Sequence, residues 1–133
     1  MIRNIRLYTI EQSAQRYKTI GDWFESRGET HIIASNLEDQ NMEFLILIHE
    51  LVEMTLCRAA GITQEEVDIF DKQHEDEQDV SELGDLTNAP YARQHCIATA
   101  VERLLAAELG VSWAEYEEKL NETLEGSSNV DDR

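Results

Sequence analysis

Residues 44–57 read FLILIHELVEMTLC, ten apolar side chains in fourteen positions, with His49, Glu50 and Glu53 set among them. A run this apolar and this long belongs to a core helix. Burying a carboxylate with no partner costs several kcal/mol, so such a helix needs something to receive the charge. The requirement restricts the fold more than any other feature of the chain. The helix has to be central, and other groups have to be brought to it.

The helical pattern spans NMEFLILIHELVEMTLCRAAG, residues 41–61, and ends at Gly61, a suitable C-terminal cap. Thr63 and Glu66 form a capping box that opens a second helix, TQEEVDIFDKQ. It gives way to HEDEQDVSELGDLTN, an acidic stretch with Gly84 that reads as a solvated loop. The only proline, Pro90, stands where a third helix begins, PYARQHCIATAVERLLAAELG, which stops at Gly110. Ser112 and Glu115 cap a fourth, WAEYEEKLNETL.

Before residue 41 the pattern differs. NIRLYTI has strand composition, and KTIGDWFES and THIIASNL flank RGE as the arms of a β-hairpin. A small antiparallel sheet of two to three strands followed by about four helices is an α+β arrangement. With 133 residues, one domain over 1–125 is expected, and GSSNVDDR, residues 126–133, reads as a disordered tail. No apolar run is long enough to span a membrane, and MIRNIRLYTIEQ lacks the features of a secretory signal. Cys57 and Cys96 make no disulfide framework and read as small buried hydrophobes, so a cytoplasmic location is expected.

The net charge of −17 is unevenly spread: residues 1–33 carry +1 and residues 34–133 carry −18. Such a surface repels phosphate, which disfavours direct nucleic-acid binding and is compatible with cations or a basic protein partner.

On a helix, His49 and Glu53 lie four residues apart on one face. Their pattern, H-E-x-x-E, differs from the zinc-binding H-E-x-x-H helix by a carboxylate in place of the second imidazole. A carboxylate oxygen also binds zinc and widens the choice to iron, manganese or magnesium. In the Pro90 helix, His95 and Glu102 are seven residues apart on one stripe, with the small Ala98 and Thr99 between them. Two helices that each present a His and a Glu can build a divalent-metal site of His49, Glu53, His95 and Glu102. The competing explanation is a structural network in which Arg93 or Arg103 pairs the glutamates. His74 and Glu75 repeat the dipeptide inside a charge run, which shows how little the dipeptide means without its apolar setting. Asp68 and Asp71 read as a solvated helix face, His31 as a cross-strand or surface residue, and Tyr91 as core.

The segments QRYKTIGDW, HELVE and APYARQHCIATAVER together resemble a group of small phage and prophage proteins of unassigned activity, over roughly residues 14–116. The resemblance implies a virus-encoded protein in a bacterial cell. The chain is also distantly similar to the zincin-like metallopeptidases, in which a small sheet precedes the H-E-x-x-H helix. That similarity implies His49 as first ligand, Glu50 as the base acting on water, Glu53 as second ligand and His95 as third. Glu102 would be a fourth ligand or would back the others. The implied activity is metal-dependent hydrolysis, zinc preferred, of a carbonyl or phosphoryl substrate, in particular a peptide or protein, with THIIASN as a strand edge for it. One alternative is a magnesium-dependent nucleotide pyrophosphohydrolase using Glu50 and Glu53. Another is an acidic, non-enzymatic phage protein that blocks a basic host factor through residues 75–85.

Overall fold

The computed structural model describes residues 4–74 and 88–131, with side chains described as far as residue 126. Three strands precede four helices in an α+β arrangement. The strands are β1 (Ile5–Ile10), β2 (Gly21–Ser26) and β3 (Glu29–Ser35). The helices are α1 (Gln40–Ala59), α2 (Gln64–Gln73), α3 (Ala92–Leu109) and α4 (Trp113–Asp131). The acidic stretch 75–87 lies outside the described residues. Helix α4 runs to Asp131, past residue 126 where the sequence predicts a tail.

β2 and β3 form the expected antiparallel hairpin. Its two turn residues, Arg27 (φ 54°) and Gly28 (φ 78°), take the left-handed conformations that a tight hairpin requires. The sheet is nevertheless mixed rather than antiparallel, because β1 pairs parallel to β3 and the strand order is β1-β3-β2. Strand composition carries no direction, and a connection of ten residues, 11–20, is long enough to cross the end of the sheet and start β2 on the far side. Gln12 and Gln15 pin that crossing, donating to the carbonyls of Thr19 and Ile20 at 2.8 and 3.1 Å. The THIIASN strand is therefore central, hydrogen-bonded on both sides, and β2 is the edge on the side of the hairpin.

α1 lies against the sheet on one side and α3 on another. Asp39 caps its first turn, accepting from the Met42 amide at 3.0 Å, and Gly61 (φ 76°) ends it. Thr63 and Ser112 cap α2 and α4 as the sequence predicts, accepting at 3.1 and 3.3 Å from the Glu66 and Glu115 amides. Two apolar clusters flank the middle of α1. Leu45 and Ile46 join one with Tyr116 and Leu120; Met54 and Cys57 join the other with Trp23, Val67 and Phe70. His49 and Glu53 fall between the two. Each fully buried leucine-sized side chain contributes about 1.5–3 kcal/mol, enough for the two clusters to hold a polar band between them. Among the described residues, no helix is long and apolar enough to cross a membrane.

Candidate metal centre

The buried stripe of α3 is His95, Ala98, Glu102 and Ala106. Its spacing of three and four residues keeps one face on α1, and the two alanines let the helix axes come close. His95 and Glu102 are thereby delivered to His49 and Glu53. All four are buried, at 2–5% exposure.

Three atoms from these residues converge. His49 Nε2 is 3.1 Å from Glu53 Oε2 and 3.1 Å from His95 Nδ1, and His95 Nδ1 is 3.0 Å from Glu53 Oε2. Donors bound at about 2.0–2.1 Å to one ion stand about 2.9–3.4 Å apart, between facial-octahedral and tetrahedral arrangements. The triangle has that size, and the three residues are a group that could hold a metal ion. Two imidazole nitrogens and a carboxylate are also a donor set used by open zinc sites and by non-haem iron.

Glu102 stands behind His49 rather than among the converging atoms. Its Oε1 accepts from His49 Nδ1 at 2.7 Å, and its Oε2 accepts from the buried Tyr116 hydroxyl. Glu102 therefore lies outside the group of atoms that could hold an ion and bonds one of its members instead. With the Nδ1 hydrogen committed to Glu102, a neutral His49 turns a lone pair toward the triangle. That lone pair faces a carboxylate oxygen, so a proton or a cation has to sit between them. Burial by itself would raise the Glu53 carboxyl, but the hydrogen bonds of His49 and His95, and their charges when the rings are protonated, outweigh it and hold it below the usual carboxylate range. Trp23 Nε1 donates to the other Glu53 oxygen at 3.4 Å. Among the described residues neither glutamate meets an arginine, and Arg103 instead lies over the Trp113 ring at 4.4 Å.

A cavity of about 70 Å³ opens onto the triangle and is also lined by Glu50, Trp23 and Asp71. That is room for a few water-sized groups. Glu50 follows His49 by about 100° around the helix and lies against β2. A Cβ on Gly21 would come within 2.6 Å of Glu50 Oε1 and 2.7 Å of Ile46, so only glycine lets the strand approach α1 here.

Asp71 is the residue that sequence reasoning missed. It is buried at 7% exposure instead of solvated, and Tyr17 and Tyr91 donate to its two oxygens. Asp68 likewise is held by Arg16, which also grips Asp22 at 2.8 and 3.0 Å. The missed signal was the i, i+3, i+4 set Val67, Phe70, Asp71, which places Asp71 on the buried face of α2. Burial is the main cause that pushes its carboxyl up to about 6, with the Glu53 and Asp22 charges adding, against the pull of the two phenols. The folded state therefore binds this proton more tightly than the unfolded chain. The resulting stability is complete below about pH 4 and is lost as the pH rises through about 6. Relative to Asp71→Asn, the wild type should lose about 2–3 kcal/mol between pH 4 and pH 7. Urea denaturation of both proteins at the two pH values measures it, and equal differences at both would refute it.

His31 is cross-strand, stacked on its register partner Phe24 and bonded to the Tyr8 hydroxyl at 2.8 Å. Of the cysteines, Cys57 is buried as expected and Cys96 is exposed. Burial, then the charges of Glu53 and Glu50, push the Cys57 thiol up to about 12. A disulfide reagent at pH 8 should label Cys96 alone in the folded protein and both thiols in urea. Fast labelling of Cys57 in the native state would contradict its position.

No family model, curated protein or solved structure matches the chain.

Proposed function

We propose that the chain is a metal-dependent hydrolase with a zincin-like use of its central helix. His49 Nε2, Glu53 Oε2 and His95 Nδ1 hold one divalent ion, zinc by preference, and Glu102 and Tyr116 fix the His49 ring from behind. A bound ion there supplies a Lewis acid that polarises a substrate oxygen and acidifies water. With an ion bound, Glu50, which lines the cavity, would accept a proton from the attacking water, and the cavity would admit the bond to be cleaved. The similarity of the segments around His49 and His95 to phage and prophage proteins favours a role inside a bacterial host.

One observation carries this reading: three potential ligand atoms converge at metal-ligand spacing on a cavity that Glu50 shares. A proton network satisfies the triangle but needs no cavity beside it. The magnesium alternative, built on carboxylates, finds only one carboxylate oxygen among the converging atoms. Elemental analysis of purified protein, after exchange against zinc, manganese and iron(II), tests the site. Close to one ion per chain is expected in the wild type and none in His49→Ala. A wild type that takes up no ion from any of the three ends the proposal.

A further inference from the structure

Asp71 lines the same cavity as the triangle, and among the described residues no cation bonds its carboxylate. Its partners are the hydroxyls of Tyr17, at 2.9 Å, and Tyr91. The nearby arginine is committed elsewhere, since Arg16 holds Asp22 and Asp68. The charges that act on Asp71 from its surroundings, Glu53 and Asp22, are negative. Burial with no opposite charge is costly for a carboxylate, and two neutral donors offset only part of that cost.

A phenol has one hydrogen to give, and both phenols give theirs to Asp71. What their oxygens can still offer is acceptor capacity. Asp71, Tyr17 and Tyr91 thus bring acceptors and a negative charge to the cavity that the triangle also lines. These three side chains offer a phosphate or carboxylate no hydrogen, whereas a primary ammonium group brings three hydrogens and a positive charge; Lys18, which also lines the cavity, is itself engaged.

The Tyr91 and His95 rings are 6.4 Å apart between centroids. One to two residues of extended chain cover that distance. Tyr91 bonds Asp71 and His95 belongs to the triangle, so a short ligand held by its ammonium at Asp71 extends toward the triangle. The loop 11–20 that carries Tyr17 is tied to the sheet through Gln15, which donates to Ser35 Oγ at 3.0 Å, so this side of the cavity is pre-formed.

We propose that Asp71, with the phenolic oxygens of Tyr17 and Tyr91, binds the free amino group of the substrate, so that the hydrolase acts on amides next to an unblocked amino terminus. The substrate class rests on the metal-hydrolase reading, but amine binding is measurable without turnover. Calorimetric titration of the zinc-exchanged full-length protein at pH 7 with alaninamide and with N-acetylalaninamide tests it. Alaninamide should bind at least tenfold more tightly, and Asp71→Asn should abolish the preference while keeping the wild-type zinc content. Tyr17→Phe, which removes one acceptor oxygen and keeps the ring, should reduce the preference and serves if Asp71→Asn fails to fold. Equal binding of the two amides, no binding of either at 10 mM, or a preference untouched in both variants overturns the proposal. A chain that takes up no metal yet still selects alaninamide sinks the hydrolase reading and leaves the amine site standing.

Discussion

Glu50→Gln should keep the metal at wild-type stoichiometry and lose roughly 10²–10⁴-fold in kcat/KM for any amide the zinc-loaded protein cleaves. That loss corresponds to about 3–5 kcal/mol of transition-state stabilisation. The reason is positional. Glu50 lies on the same helix as two of the converging atoms but a third of a turn away, and its carboxylate lines the cavity rather than the triangle. Glutamine fills the same space beside Gly21 and cannot take a proton. The readout is turnover of a panel of chromogenic amides and short peptides, paired with elemental analysis of each preparation. A variant as active as the wild type removes Glu50 from the chemistry; one that loses the metal makes it a ligand.

Glu53→Gln probes the other half of the proposal. Zinc present at about a thousand times its dissociation constant should stabilise the wild type by about 4 kcal/mol, a rise in Tm of roughly 15 °C for a chain of this size. The amide keeps the shape that accepts from Trp23 Nε1, but it brings no negative charge to the ion. Affinity should fall about a hundredfold or more, and at the same zinc concentration the stabilisation should drop to about 1.4 kcal/mol or less. Thermal denaturation with and without zinc, for both proteins, reads this directly. An unchanged shift in the variant would mean that zinc stabilises the fold from somewhere else.

The four helices were legible because their signals are local. Apolar periodicity, the Thr63 and Ser112 caps and the glycines at 61 and 110 act within a few residues, and each recurs in the structure. So was the pairing of His49, Glu53, His95 and Glu102: two polar residues on an apolar stripe can be buried only against groups that answer them, and α3 carried the matching stripe. The division of labour within the four was not legible. Whether Glu102 joins the converging atoms or stands behind His49 depends on where α4 places the Tyr116 hydroxyl.

Asp71 shows the same limit. Its neighbours in sequence are acidic, and charge composition argued for solvent, but the loop carrying Tyr17 and the start of α3 carrying Tyr91 close over it. Neither partner is within hydrogen-bonding reach along its own helix.

By itself the sequence determined the helices with their ends, the hairpin, and which side chains a core would have to neutralise, since all of these follow from backbone preferences and from the cost of burying charge. The tertiary structure alone decided the parallel placement of β1, the central position of β3, the position of Glu102 behind His49 and the acceptors around Asp71. Each of those depends on where distant segments cross in space, and a long connection can satisfy the same local pattern along more than one path.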